Sequence, residues 1–316
     1  MSIKYLHDII TYGAKGNTLK QMLSILCQPN IEEVNKSNTE NILSKGINIA
    51  NGIFIKDINI KTNFKNAGER YKAKIEQLAS SSQINNFVKE KTNGKITHII
   101  DSIEGMILLI NAVYYKGEWK KEFKAPKKEN FTLSSGEVKK CNMMSLKSTF
   151  GYIEDKDCQM IKLEYKNGNV CYVIKPTTNI NTFINNTFNQ NLFKTHIAKL
   201  QNETVNLSLP KFTSTYSTNL EGVLKSMGMV EPFSENADFS EMSDTKIQIG
   251  RIIHKTYLDV NPKTTEAAAV TAVMTLGIIK DKPKEYFMKL NKPFIFIIAS
   301  PQNSKTVIFL SKIETV

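Results

Sequence analysis

The sequence predicts an α+β domain, and three observations carry that reading. Helical periodicity lies early in the chain, strand-like runs lie late, and the two do not alternate as βαβ units would. No internal repeat or low-complexity linker breaks the chain, so residues 1–316 read as a single domain.

Taken in order, Leu6, Ile9 and Ile10 form a short helical stripe that stops at the turn signal Gly13-Ala-Lys-Gly-Asn17. A second helix is expected from Thr18 to Leu26, with Thr18 as its cap. Residues 47–60 alternate apolar and polar in strand fashion, and residues 64–77 and 83–91 read as helices. Ile107 to Tyr115 is a near-continuous apolar run, as expected of a strand buried on both faces. Strand patterns follow at 170–174, 205–209, 247–253, 256–260, 293–298 and 306–310, with a helix at 219–228. Ser300-Pro-Gln-Asn-Ser304 reads as the hairpin turn joining the last two strands.

One segment fits no single state. Thr265, Glu266 and Ala267 to Ala269 look like a capped helix. Yet the alternate positions Thr265, Ala267, Ala269, Thr271 and Val273 are small or uncharged, so the same stretch can lie as a strand with that face buried. A sequence able to be loop, helix or strand is a candidate switch element.

Composition narrows the function classes. Lysine and arginine number 42 against 30 acidic residues, a net charge of +12 that favours anionic partners. The densest basic stretch, Lys116 to Lys128, is broken by Glu118 and Glu122 and is lysine-rich, unlike the arginine forks that read bases. It predicts a solvated surface, with a glycosaminoglycan as a weak partner and no nucleic acid. No apolar run reaches the roughly 18 residues of a spanning helix, so no membrane partner is expected. The N-terminus lacks the apolar core and small-residue cleavage site of a signal peptide, which leaves extracellular and cytoplasmic residence both open. Four cysteines and four histidines are scattered without CxxC or HExxH spacing, so neither a disulfide framework, a metal nor a cofactor is expected. GxSxG and a complete P-loop are also missing, which argues against an enzyme and leaves no catalytic residue to nominate.

A series of motifs then occurs in order along the chain: Ala50-Asn-Gly-Ile-Phe54, Ile84 to Ile96, Asn111-Ala-Val-Tyr-Tyr-Lys-Gly-Glu-Trp119, Leu209-Pro-Lys-Phe212, Ile253-His-Lys255, Thr265-Glu-Ala-Ala-Ala269 and Asn291-Lys-Pro-Phe294. Together they resemble the serpin family of serine protease inhibitors. The resemblance implies three β-sheets, about eight helices and an exposed reactive-centre loop, here about 262–290, on a metastable fold. It implies a suicide substrate: a protease cuts the loop, forms an acyl-enzyme, and is carried away as the loop inserts into the main sheet. Inserting some 14 residues at ~3.3 Å each implies a displacement of roughly 45 Å.

By the same resemblance, Pro262, Lys263, Thr264, Thr265, Glu266, Ala267, Ala268, Ala269 and Val270 form the loop hinge. Ser2, Asn111 and His254 fall where the sheet must open, and Trp119 falls near the loop's entry point. Taken alone, His254 reads as a core histidine and Trp119 as core packing. Counting along the loop places the scissile bond between Ile278 and Ile279, with cleavage after Lys280 or Lys282 as alternatives. The partner implied is an elastase-, chymotrypsin- or trypsin-like serine protease in a covalent acyl complex with a monomeric inhibitor.

The sequence also departs from the family pattern. The helix that usually opens the family lies ahead of the matched residues and has no counterpart here. Lys4, His7 and Asp8 fall where that pattern is apolar, and burying them unpaired would cost several kcal/mol. Pro262 and Thr264 replace a usual Glu and Gly, removing backbone freedom at the hinge. These changes keep open a non-inhibitory serpin acting as a binding or chaperone-like module.

Overall fold

The computed structural model describes residues 2–27, 30, 46–70, 72–262, 284–300 and 307–316. The elements are α1 (Ser2–Tyr12), α2 (Gly16–Leu26), β1 (Ile47–Ile55), α3 (Thr62–Arg70), β2 (Ala73–Gln77), α4 (Ser81–Lys91) and β3 (Ile107–Tyr115). Then come β4 (Lys127–Thr132), β5 (Val138–Glu154), β6 (Cys158–Glu164), β7 (Val170–Pro176), α5 (Ile180–Asn186), α6 (Gln190–Lys199) and β8 (Gln201–Asn219). The chain ends with α7 (Glu221–Ser226), a 3₁₀ turn (Glu231–Phe233), β9 (Arg251–Val260), β10 (Glu285–Lys289), β11 (Phe294–Ala299) and β12 (Val307–Ile313). Among the described residues this makes twelve strands and seven α-helices, the mixed class expected. They fall into two compact units, Met1–Lys116 with Thr215–Leu258 and Gly117–Ser214 with Asp259–Val316.

In the first unit the strands run β2, β1, β3, β9. β1 is parallel to β2, antiparallel to β3, and β3 is parallel to β9. All nine residues of β3 are buried, because both faces of this sheet are covered. Ile107 and Leu109 join a core with Leu6, Ile9 and Ile10 of α1 and Met22 of α2, whereas Leu108, Ile110 and Ala112 meet Ile84, Phe87 and Val88 of α4. Each such side chain withdrawn from water contributes about 1.5–3 kcal/mol. Helix α4 starts on a side-chain cap: the Gln83 amide donates to Ser80 Oγ at 3.2 Å, and Gln83 Oε1 accepts from the Ala79 amide at 2.8 Å. It ends at Thr92, whose hydroxyl donates to Val88 O at 2.7 Å, before the left-handed Asn93 and Gly94.

In the second unit the order is β12, β11, β7, β6, β5, β8, with β10 beside β8 and β4 beside β5. Helices α5 and α6 cover one face through Phe183 and Phe193, which pack with Cys158, Met160, Tyr172, Ile174, Ile295 and Ile297.

Several boundaries differ from the sequence reading. The helix expected over 64–77 ends at Arg70, Lys72 adopts φ 50°, and Ala73–Gln77 pairs in parallel with Asn51–Ile55. Tertiary pairing overrides local propensity there. Thr18 is not the cap of α2, which starts at Gly16; its hydroxyl instead accepts from the Asp238 amide at 2.9 Å and donates to Glu231 Oε1 at 3.0 Å. The strands read at 247–253 and 256–260 are one strand beginning at Arg251.

Nor is α1 left with unpaired charge, as the departures above would imply. Lys4 Nζ lies 2.7 Å from the fully buried Asp8 carboxylate, one turn away. His7 is buried, neither of its ring nitrogens is hydrogen-bonded among the described residues, and burial pushes its pKa down to about 4, so it is neutral at neutral pH.

Candidate functional site

Two places in the fold hold the residues singled out above. The first is the seam between β3 and β9. The β1–β3 register sets Asn51 against Asn111, and the β3–β9 register sets Asn111 against His254. Three polar residues therefore share one row across three neighbouring strands, all of them buried. Asn111 Nδ2 donates to Asn51 Oδ1 at 2.6 Å, and His254 Nδ1 stands 2.6 Å from Asn111 Oδ1. A carbonyl oxygen only accepts, so the His254 proton is on Nδ1. Burial pushes the His254 pKa down to about 4, which keeps the ring neutral and the row uncharged.

A row of this kind is strong only while the strands are adjacent. Pulling β9 from β3 breaks the His254–Asn111 bond along with the ladder from Leu108–Arg251 to Tyr115–Leu258. Asn51 completes the row and was not singled out from sequence, although the alternation of β1 places it on the same face as Ile53 and Ile55. Ser2 opens α1, and its side chain lies outside those described.

The second place is where the chain leaves β9, in the second unit. Trp119 is buried, stacks on Tyr165 with centroids 4.3 Å apart, and meets Phe123 edge-on at 5.7 Å. Its indole Nε1 donates to the Asn261 carbonyl at 3.1 Å. Asn261 in turn donates from Nδ2 to Asp259 Oδ2 at 3.1 Å. Trp119 thus anchors the backbone one residue before Pro262, which is partly buried. Beside it lies a cavity of about 590 Å³ lined by Trp119, Phe123, Phe150, Leu163 and Leu200, with Lys120, Lys121 and Lys162 among its walls.

Of the remaining predicted residues, Lys263, Thr264, Thr265, Glu266, Ala267, Ala268, Ala269 and Val270, with Ile278, Ile279, Lys280 and Lys282, lie outside the described residues.

The model of the family "Serpin (serine protease inhibitor)" matches residues 1–315. The chain belongs to the serpin family. Serpin B6 of Pongo abelii is 32% identical, over 97% of this chain and 89% of its own. The fold follows that of other serpins: the thermophilic serpin tengpin in its native state superposes with a TM-score of 0.85 at 30% identity, over 100% of this chain and 87% of its own. Thyroxine-binding globulin complexed with thyroxine reaches 0.86 at 21% identity, over 99% and 90% of the two chains. Each of these serpins is matched over most of its length, and the fold class is the α+β serpin fold.

Proposed function

We propose that this chain inhibits a serine protease by acting as a suicide substrate, with the segment between β9 and β10 as the bait; the last part of the stretch expected as loop, 285–289, is strand β10 paired with β8 instead. The observation that supports this most is the parallel pairing of β3 with β9, continuing directly into that loop. A parallel ladder has slanted bonds and is slightly less stable per residue than an antiparallel one. A chain that leaves β9, turns back and enters between β9 and β3 runs antiparallel to both. It replaces one parallel ladder with two antiparallel ones. That exchange is the source of the downhill free energy, and the small residues Thr265, Ala267, Ala269 and Thr271 suit the buried face of the new strand.

In the reaction the protease serine attacks the carbonyl carbon of Ile278, the Ile279 amine leaves with a proton, and an ester joins the two proteins. Insertion then drags the ester away from the oxyanion donors that deacylation needs, and hydrolysis by water stalls. Incubation with elastase, chymotrypsin and trypsin, followed by denaturing electrophoresis and mass spectrometry, tests this. A covalent adduct is expected, and the released C-terminal peptide identifies the bond among residues 278–282.

A second reading, a non-inhibitory binding or chaperone-like module, is favoured by Pro262 at the hinge and by the cavity beside Trp119. The same fold binds a small molecule in thyroxine-binding globulin, whose structure is a complex with thyroxine. Clean loop cleavage with no adduct would decide for this reading.

A further inference from the structure

Outside the loop machinery, the second unit gathers three potential metal ligands at one point. Asp155 lies in the turn between β5 and β6, Cys158 opens β6, and His196 sits in the last turn of α6. His196 Nε2 is 2.9 Å from Asp155 Oδ2 and 3.7 Å from Cys158 Sγ, and the three ligand atoms lie within 4.8 Å of one another. Cys158 is fully buried and His196 nearly so, while the Asp155 side chain is 37% exposed.

Two of the three ligands are held by a second contact that aims them inward. His196 Nδ1 stands 2.9 Å from the Leu192 carbonyl, which fixes the ring and leaves Nε2 facing the cluster. A ligating histidine characteristically spends its other nitrogen in this way. Asp155 Oδ1 accepts from the Asp157 and Cys158 amides at 2.9 and 3.0 Å, so Oδ2 is the oxygen turned towards the ring. Burial would raise the Asp155 carboxyl, but those two amides and His196 outweigh it and hold it below the usual carboxylate range.

We propose that Asp155, Cys158 and His196 bind one zinc-type divalent ion, with water at the fourth position on the exposed Asp155 side. The donor set of thiolate, imidazole and carboxylate suits a borderline-soft cation and disfavours calcium or magnesium. With Zn–N near 2.05 Å and Zn–S near 2.3 Å, a tetrahedral ion holds N and S about 3.6 Å apart, against the 3.7 Å found. The N–O separation for the same geometry is about 3.3 Å, so Asp155 must retreat by about 0.4 Å, towards solvent. Binding releases the Cys158 thiol proton and any proton on Nε2 to solvent, while Leu192 keeps its bond to Nδ1. A nucleophilic Cys–His–Asp triad is the rival chemistry. It is disfavoured because Cys158 has no exposure and burial pushes its thiol up to about 12. The ion would pin the β5–β6 turn to α6.

Cobalt titration of the full-length, reduced, metal-free protein tests the site. The expected result is a thiolate-to-cobalt charge-transfer band with intense four-coordinate visible bands, saturating at one ion per chain and bleached by zinc. The exposed Cys27 is the competing thiol. The band should therefore survive in Cys27→Ser and vanish in Cys158→Ser and His196→Gln. A wild-type spectrum without the band, or a band lost in Cys27→Ser, overturns the proposal and leaves an Asp155–His196 ion pair only. Where Cys158→Ser does not fold, survival of the band in Cys27→Ser together with its loss in His196→Gln decides for the site, and a band retained in His196→Gln overturns it.

Discussion

His254 and Asn111 are joined by a 2.6 Å hydrogen bond across two parallel strands, with Asn51 completing the row. The bond ties a side-chain interaction to the adjacency of β3 and β9, so its loss is felt wherever that adjacency matters. Asn111→Ala removes the central member and leaves the buried Asn51 and His254 groups without it. A destabilisation of about 2–4 kcal/mol is expected in denaturant titration, with an unchanged slope. A change under about 0.5 kcal/mol would mean that water replaces the amide.

Two of the buried histidines, His7 and His254, should make the protein acid-sensitive. His7 and His254 both have their pKa lowered by burial from 6.5 to about 4. Above pH 6.5 both are neutral whether folded or unfolded, and no stability is lost. As pH falls from 6.5 towards 4, the unfolded chain takes up protons that the folded one refuses. Each histidine then costs about 2 kcal/mol at pH 5 and about 3 kcal/mol below pH 4. Urea midpoints measured between pH 7 and 4.5 should fall accordingly, and His7→Leu should remove about half of the loss. Because His7 has no hydrogen-bond partner among the described residues, that variant should also be more stable at pH 7 by about 1–2 kcal/mol. Equal acid sensitivity in the variant would assign the effect elsewhere.

Trp119 is the only tryptophan. Trp119→Phe keeps an aromatic ring against Tyr165 but removes the donor to Asn261 O, at an expected cost of about 1–2 kcal/mol. In the unmodified protein the indole emission reports on Asn261, one residue before the hinge. Loop cleavage by a protease that cuts near residue 278 should shift that emission if insertion follows. A spectrum unchanged after complete cleavage would argue for the non-inhibitory reading.

Gly250 precedes β9, and a Cβ there would stand 2.9 Å from the Ile107 carbonyl oxygen and 3.2 Å from Gly105 Cα. Its own amide donates to Ile107 O at 3.0 Å. Since those neighbours are backbone, they cannot swing aside. Gly250→Ala should cost about 1–3 kcal/mol and loosen the β3–β9 register, measurable as a lower thermal midpoint.

The apolar run 107–115 was legible because a strand covered on both faces needs no alternation; α4 was legible from residue 83 onward, while its start at Ser81, capped by Ser80, lies two residues earlier than read. The row at Asn111 was half legible: the motif pointed to Asn111 and His254, but pairing Asn51 with them needs a register that only the sheet supplies. β2 was misread because Ala73 to Gln77 continues a helical-looking stretch, and nothing local reveals the strand beside it. The Asp155–Cys158–His196 cluster left no trace in ligand spacing, since its third member comes from a helix two strands further along the chain. The paired Lys4 and Asp8 had a local signal, the four-residue spacing that places them one helical turn apart.

Strand β3 has one neighbour running each way, β1 antiparallel and β9 parallel. Successive backbone amides along a strand point to opposite sides, so every second N–H of residues 108–115 faces β9 and the others face β1. A parting of the seam frees one set while the other stays bonded. Deuterium uptake would then show a period of two along β3, fast and slow amides alternating within one strand. The slow set would serve as the internal reference that the strand itself stays folded, and the protection of the fast set would give the free energy of opening without any change to the sequence.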